Sequence, residues 1–450
     1  MSDRLGPTEI RRSAEAALDL PRADGVEVLV MHEWGGLTRF ADSAIHQSTA
    51  RENTAIKVRA VTGGRVGVVS TNDLSPDGAR GAATSALELA RMAAPDPLFP
   101  GLAPGAEVTE GPGAFDLATA KTTPEDRAEG VAALVAACRE GFHAAGAFDT
   151  IATEVAVGNS GGQFCYGSLT QAQITTVVSG GDGGAGFAEV TEHRASALDP
   201  AAIGARAFAK ARDSQSPRDL EPGRYEVVLE PAATATLLGF LAYLGFGGRA
   251  IVEGRSCFSG RIGEKLVSDR ITIVDDALSP LTIGLPFDFE GTPKRRVELI
   301  RGGVVEGGVH DRRSAAQAGS ESTGHALPPP NPMGALPLNL FLEPDDAGLD
   351  DMIRAVGRGL LVSRFHYANV VHPRDAVITG MTRDGTWLIE DGEIRHPVKN
   401  FRFTQSIIDA LRDVEMVGRD TELASEFFFS ASRVPALKIS TFQFTGKSDH

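Results

Sequence analysis

The sequence is poor in cysteine and has no excess of positive charge, and each shortage excludes a class of protein. Its three cysteines, Cys138, Cys165 and Cys257, are scattered and form no CxxC pair. A disulfide framework is therefore excluded, and a reducing compartment such as the cytoplasm is expected. Acidic residues outnumber basic residues by 59 to 44, which gives a formal net charge of -15. Because this charge repels phosphate backbones, we expect no direct binding to nucleic acid.

Long hydrophobic runs are also missing. The most apolar stretch, Ala232 to Phe246, is shorter than the roughly 20 residues that span a bilayer. The N-terminal segment mixes charges with short apolar steps, unlike a signal peptide. We therefore expect a cytoplasmic protein without membrane contact. Glycine, by contrast, is abundant, with 51 residues, which predicts many tight turns between strands and disfavours an all-helical fold.

Helix and strand signals divide the first half of the chain into two segments. Residues 1–95 combine helical patterns with strand candidates and contain a helix start at Ser75-Pro76, a hydroxyl cap followed by proline. Residues 115–215 contain a similar start at Thr123-Pro124 and then three short strand-like runs. These runs are Ile151–Val157, Gly162–Tyr166 and Ala172–Val178, separated by polar or glycine-containing turns. A Pro/Gly-rich connector, residues 94–113, lies between the two segments.

The third segment, residues 222–450, has many short strand candidates and few strong helices. We predict an α+β protein in which two small α/β domains, residues 1–95 and 115–215, precede a β-rich C-terminal domain, residues 222–450. The run Gly180–Gly184 is not followed by Lys-Ser/Thr and is therefore interpreted as a hairpin turn and not as a P-loop.

Several segments, in the same order, resemble the TldD/PmbA peptidase family. They are Gly67–Ser75, Gly223–Leu229, Phe258–Glu264, Ile273–Asp276, Phe287–Pro293, His310–Arg312 and Ser322–His325. The most specific of them begins with Phe258-Ser259-Gly260-Arg261. This resemblance covers most of the chain and implies a family-like fold and a cytoplasmic role in the cleavage of unfolded or short peptides.

Active members of the family carry a HExxxH motif on a helix before the FSGR-type turn. The two histidines bind zinc, and the glutamate polarises the attacking water. Counting back from Phe258 without gaps places Gly239 and Leu244 at the histidine positions and Phe240 at the glutamate position. None of these three side chains offers a metal ligand or a proton acceptor.

A cysteine near the C-terminus is expected to complete the family metal site. Here the region is occupied by Phe427-Phe428-Phe429-Ser430-Ala431-Ser432, and no cysteine follows Cys257. The pattern resembles the PmbA branch, also called TldE, whose members pair with a zinc-bearing TldD-like subunit. The resemblance therefore implies a chain with no catalytic residue, no metal and no cofactor of its own, acting on a peptide substrate within a heterodimer.

The residues that we expect to face a peptide cleft are Ser259, Gly260, Arg261 and His325. A glycine-containing turn lets backbone donors approach a bound peptide. Two other functions are compatible with the sequence: a self-sufficient hydrolase that uses replacement residues, and a homodimeric peptide-binding regulatory module. The replacement candidates are His310, His325, His366 and Cys257.

Each replacement candidate also has a plainer interpretation. His366 and His372 share one face of a predicted strand, but six extended residues would separate them by roughly 20 Å, too far for one ion. His310 and His325 lie in two family loops that can approach in space, although hydrogen bonding is the commoner role. For Cys257, a small buried thiol is favoured over a reactive one.

Carboxylates and hydroxyls give two further candidates. Asp275-Asp276 fits a pair of carboxylates of which one has a raised pKa, but acids at the end of a strand are commoner. Ser256, Ser259 and Ser322 are candidate nucleophiles, yet none lies in a G-x-S-x-G elbow.

Overall fold

The computed structural model of the chain describes residues 4–109, 111, 113–139, 141–425 and 431–448. These residues form two β-sheets with helices packed against them. The result confirms the predicted α+β class with a β-rich C-terminal part. No helix in the described ranges is long and apolar enough to cross a membrane.

The N-terminal half is built on one six-stranded sheet. Its elements are α1 (Gly6–Leu18), β1 (Gly25–Ala41), β2 (Ala44–Thr62), β3 (Arg65–Thr71), α2 (Pro76–Met92), α3 (Leu117–Ala120), α4 (Pro124–Ala136), β4 (Phe142–Asn159), β5 (Phe164–Gly180), β6 (Ala185–Glu192) and α5 (Pro200–Asp213). The strand order is β3-β2-β1-β4-β5-β6, and neighbours are antiparallel. The β1–β4 pair therefore joins the two predicted N-terminal segments in one sheet, while the boundaries at 1–95, 115–215 and 222–450 stay predictions.

Local signals explain where two of these helices begin. The Ser75 hydroxyl accepts a hydrogen bond from the Gly78 N–H at 3.0 Å, which caps α2. At α4, the Thr123 hydroxyl accepts from the Asp126 N–H, and the Asp126 carboxylate accepts from the Thr123 N–H. This reciprocal capping box confirms both predicted helix starts.

The predicted turn between Tyr166 and Ala172 is wrong, because β5 runs unbroken through it. Gly167, which indicated a turn, is a mid-strand residue. A Cβ atom at this position would lie 2.9 Å from Leu285 Cδ2 and 3.2 Å from Phe287 Cε1. The glycine therefore allows close packing of the C-terminal half on the strand and does not end the strand.

The C-terminal half contains the second sheet. Its elements are β7 (Arg224–Leu229), α6 (Pro231–Gly245), α7 (Gly248–Val252), β8 (Ile273–Asp275), β9 (Val297–Arg301), β10 (Val304–Val305), α8 (Arg312–Ala318), β11 (Leu340–Leu342), α9 (Leu349–Arg354), β12 (Arg358–His372), β13 (Val377–Glu390), β14 (Glu393–Pro397), β15 (Phe401–Ser406), α10 (Ile407–Arg412), β16 (Val414–Ala424) and β17 (Ser432–Lys447). Strands β17, β15, β13, β12 and β7 pair in this order, and β7 pairs back with β17. These five strands thus close on themselves around a hydrophobic core.

The two faces of the N-terminal sheet have different partners. One face packs against α1 and α2 at one end and against α4 and α5 at the other. On the opposite face, apolar residues of β1, β4 and β5 pack against loops of the C-terminal half, including Leu285, Phe287 and Leu338. The C-terminal loops cover one part of this face, and a cavity remains beside them.

Candidate functional site

Helix α6 carries the three positions that are predicted to replace the family zinc motif. Phe240 and Leu244 are only 9% and 6% exposed and belong to the main C-terminal core, whereas Gly239 is partly exposed. Two of the three predicted motif positions are therefore occupied by buried hydrocarbon, and the third has no side chain. In the C-terminal segment singled out above, Ala431 and Ser432 are described, and Phe427 to Ser430 lie outside the described residues.

The turn that follows α7 packs against the end of α6. The rings of Phe246 and Phe258 have centroids 5.2 Å apart. The Ser256 hydroxyl donates to the Gly245 carbonyl at 2.6 Å and accepts from the Phe258 N–H at 3.0 Å. Ser256 is buried and held on both sides, so its hydroxyl fixes the turn and is not a free nucleophile.

Three of the predicted cleft residues lie on this turn, near the surface. The Ser259 hydroxyl donates to the Ile251 carbonyl at 3.1 Å, and Gly260 has a φ of +76°, which glycine adopts without strain. The Arg261 guanidinium is 39% exposed and lies 3.3 Å from a Glu264 carboxylate oxygen. Behind the turn, burial raises the pKa of Cys257 to about 12, which supports the inert thiol.

The fourth predicted cleft residue, His325, lies in a buried polar cluster. Its Nε2 atom is 2.8 Å from Asp275 Oδ1, and its Nδ1 atom is 2.9 Å from Thr323 Oγ1. Asp275 Oδ2 accepts from the Asn339 N–H at 2.8 Å. Burial opposes ionisation of Asp275, but His325, Lys294 and the Asn339 N–H together hold its pKa below the usual value.

This hydroxyl, imidazole and carboxylate stand in series, as in a catalytic triad. All three side chains are nevertheless buried. The Thr323 hydroxyl accepts from the His310 N–H at 2.7 Å and donates to the His310 carbonyl at 3.1 Å. The loop backbone thus occupies the hydroxyl, so the arrangement holds the two family loops together without presenting a nucleophile.

A second buried carboxylate and a lysine complete the polar cluster. Asp288 Oδ1 accepts from the N–H groups of Glu290 and Thr292, and Oδ2 accepts from the Ala326 N–H. Burial, together with the nearby Glu290 charge, raises the pKa of Asp288 to about 7. Burial also lowers the pKa of Lys294, although Asp275 and Asp288 oppose the shift.

Lys294 and Asn339 line a cavity of about 250 Å³ between the N-terminal sheet and the C-terminal loops. Its apolar wall includes Val155, Leu169, Ile283, Leu285, Phe287 and Leu338, and its polar wall includes Glu33, Arg51, Asp149, Gln171 and Gln173. An apolar pocket with a few convergent polar groups is typical of a ligand site. None of the four predicted cleft residues is among those that line it, and their contact with a peptide stays a prediction.

The remaining metal candidates do not converge. His366 and His372 both lie on β12, but the pairing of this strand with β13 shifts between His366 and Asn369 and again between Val370 and His372. The partners of the two histidines, Met381 and Val377, are four residues apart on β13, so the register does not contradict the predicted common face, which stays a prediction. No group of three His, Cys, Asp or Glu residues able to hold a metal occurs in the part of the chain that the structure describes.

Sequence reasoning missed Lys294, Asn339 and the cavity. The only signal was position, because Lys294 directly follows the family segment Phe287–Pro293. A lysine is normally exposed, so nothing in the residue type indicated that Lys294 is partly buried and lines a cavity.

Comparisons with known proteins identify the family that the chain matches. The chain matches the family models for the PmbA/TldA metallopeptidase C-terminal domain over residues 222–446 and for PmbA/TldA metallopeptidase domain 1 over residues 26–90. The metalloprotease PmbA of Escherichia coli O157:H7 is 25% identical over 447 residues, which cover 96% of each chain. A metalloprotease of Methanothermobacter thermautotrophicus is 27% identical over 251 residues, 54% of this chain and 53% of the relative. The match thus spans about half the length of that relative.

The fold has a close counterpart among solved structures. TldE from Thermococcus kodakarensis superposes with a TM-score of 0.88 at 22% identity, covering 98% of this chain and 99% of the other. At this identity the likeness shows the fold alone.

Proposed function

Because the chain belongs to the TldD/PmbA metallopeptidase family, we propose that it is the metal-free, non-catalytic subunit of a TldD/TldE-type peptidase complex. In this proposal a TldD-like partner supplies zinc, general base and bond cleavage. The complex acts on unfolded or short peptides in the cytoplasm. The acidic chain binds no nucleic acid directly and contacts no membrane.

The observation that carries this proposal is the chemistry of α6. Zinc in proteins is bound by nitrogen, sulfur and oxygen donors. Phe240 and Leu244 are part of a hydrocarbon core, and Gly239 has no side chain. These residues do not fit zinc, so no step of peptide cleavage is assigned to this chain.

The self-sufficient hydrolase has weaker support. Its candidate histidine, His325, is buried between Asp275 and Thr323, and its candidate thiol, Cys257, has a pKa raised to about 12 by burial. Neither group presents a reactive atom to the cavity. A homodimeric peptide-binding module is the other alternative, since the cavity itself does not require a catalytic partner.

The proposal is tested with three preparations: this chain alone, a HExxxH-bearing homologue from the same cell alone, and the co-expressed pair. We expect co-elution of the two chains from size-exclusion chromatography and cleavage of an unfolded peptide only by the pair. Elemental analysis should find stoichiometric zinc in the homologue and in the pair, but not in this chain alone.

The matched control is the pair in which the glutamate of the partner's HExxxH motif is replaced by glutamine. It should be inactive, because this chain supplies no base of its own. Cleavage by that control pair would favour the hydrolase alternative. Full activity of the homologue alone would show that this chain is not required, and separate elution, with this chain as a dimer, would favour the homodimeric module.

A further inference from the structure

Lys294 is a partly buried lysine that lines the cavity and has few hydrogen-bond partners. Its ammonium group donates one hydrogen bond, to Asn339 Oδ1 at 3.3 Å. An ammonium group has three donors, so two N–H bonds are unused within the described residues. No carboxylate oxygen of those residues comes within 4.0 Å of the Lys294 nitrogen. A cation that is partly removed from water is stabilised by hydrogen-bond partners.

The two nearest carboxylates are already committed elsewhere. Asp275 contacts His325 and the Asn339 N–H, and Asp288 accepts from three backbone N–H groups. They stabilise the charge of Lys294 through space but leave its remaining N–H bonds to the cavity that it lines. Asp288, with a pKa raised to about 7, can also take up a proton when another anion enters.

The size and wall of the cavity define the rest of the ligand. A dry protein cavity of about 150 Å³ accommodates benzene, so a cavity of about 250 Å³ has room for one large apolar side chain with a carboxylate beside it. Leu285, Phe287 and Leu338 supply apolar contact. Gln171 and Gln173 line the same cavity on the sheet and offer amide groups to a peptide backbone.

We propose that this cavity binds the C-terminal residue of a peptide, with an apolar last side chain against the hydrocarbon wall and the terminal carboxylate on the ammonium group of Lys294. The choice of a peptide rests on the proposed function. A carboxylate supplies the acceptors that Lys294 lacks, and such charge-assisted hydrogen bonds are stronger than neutral ones. An internal Asp or Glu carries the same group, and a peptide with an internal aspartate distinguishes this source from a terminal carboxylate.

The test is binding of fluorescein-labelled peptides to the full chain, measured by fluorescence anisotropy. The three peptides share one sequence: one ends in leucine with a free carboxylate, one ends in leucine amide, and one ends in leucine amide with an internal aspartate. We expect the free acid to bind at least about tenfold more tightly than either amide, which corresponds to about 1.4 kcal/mol. Equal affinity for the acid and the plain amide, or for the acid and the aspartate peptide, would overturn the assignment.

Two pairs of variants locate the site. Lys294→Met should remove the preference for the free acid, and Lys265→Met, at an exposed lysine of the same half, should leave it unchanged. Ile151→Trp should fill the cavity and weaken all peptides. Val177 lies on the same face of β5 as Gln173 but outside the cavity lining. Val177→Trp is therefore the control and should leave peptide binding unchanged. A preference that survives both Lys294→Met and Ile151→Trp in folded protein would show that the carboxylate binds elsewhere.

The same peptides, assayed with the co-expressed pair, separate this inference from the proposed function. If the pair cleaves peptides but the isolated chain binds the free acid and the amide equally well, only the carboxylate site is refuted. A clear preference in the isolated chain, combined with a pair that cleaves nothing, would refute only the role as a peptidase subunit.

Discussion

Helix α6 and the polar cluster around Asp275 lie in the same half of the molecule, yet they differ in what they bury. The helix buries hydrocarbon at the positions that are predicted to replace the family zinc motif, and Phe240 and Leu244 contribute to the core. The cluster buries Asp275, Asp288 and His325 beside a cavity that the partly buried Lys294 lines. Buried ion pairs are often no more stabilising than well-packed hydrocarbon. The comparison therefore indicates that the groups able to bind a ligand lie in the cluster, while α6 contributes to the stability of the fold.

The largest effect is expected from a substitution that removes a central residue of the polar cluster. Asp275→Ala removes the partner of both His325 and the Asn339 N–H and leaves two buried polar groups unsatisfied. We expect the free energy of unfolding in urea to fall by roughly 3–5 kcal/mol. Asp276→Ala, the matched control on the partly exposed neighbour, should cost less than about 1 kcal/mol. Similar losses for the two variants would mean that the cluster has no special role in stability.

The second prediction tests α6 as core. Leu244→Ala leaves a cavity in the main hydrophobic cluster and should cost roughly 2–5 kcal/mol in unfolding free energy. Tyr243→Ala is the control on the same helix, because its side chain is 51% exposed, and it should cost less than about 1 kcal/mol. A Leu244→Ala protein as stable as the parent would argue that this face of α6 is not packed core.

The third prediction extends the comparison to the contact between the halves. Glu27 on β1 is buried, with Oε1 3.2 Å from Arg59 Nη1, and Arg59 also contacts Glu290. Burial raises the pKa of Glu27 from 4.5 to about 7, against the opposing effect of Arg59. Since the folded state then binds a proton more tightly than the unfolded state, the contribution of Glu27 to stability is greatest below about pH 4.5 and falls as pH rises from about 4.5 to 7.

We expect ionisation of Glu27 to lower the free energy of unfolding by on the order of 3 kcal/mol over that range. Glu27→Gln should flatten the dependence of unfolding free energy on pH, and Glu52→Gln, at an exposed position of β2, should not. The raised pKa of Asp288 adds a dependence of the same sign, so some slope should persist in Glu27→Gln. An unchanged slope in that variant would contradict the assignment to Glu27.

The smallest effect concerns the surface turn. Arg261→Ala breaks an exposed ion pair with Glu264 and should change the unfolding free energy by less than about 1 kcal/mol. We nevertheless expect it to raise KM for peptide cleavage by the complex, because the turn is predicted to face the peptide. Arg255→Ala removes a similarly exposed pair with Glu253 and is the matched control. Equal KM values for the two variants would remove this turn from the peptide site.

Local sequence determined the parts of this protein that short-range physics controls. Ser75 and Thr123 cap their helices through hydrogen bonds to residues three positions away. Such contacts can be predicted from the local sequence. The lack of donors at Gly239, Phe240 and Leu244 is likewise a property of residue type alone. The family segments then predicted the α+β fold, since their order along the chain is itself a sequence feature.

Tertiary structure decided what depends on residues far apart in the chain. His325 meets Asp275 across 50 positions, and Gly167 proved to be a mid-strand residue because Leu285 and Phe287 pack on it. Lys294 became a candidate binding residue only because sheet and loops enclose a cavity around its ammonium group. Burial and charge interactions depend on distances in the folded structure. They therefore cannot be predicted from residue type and local periodicity alone.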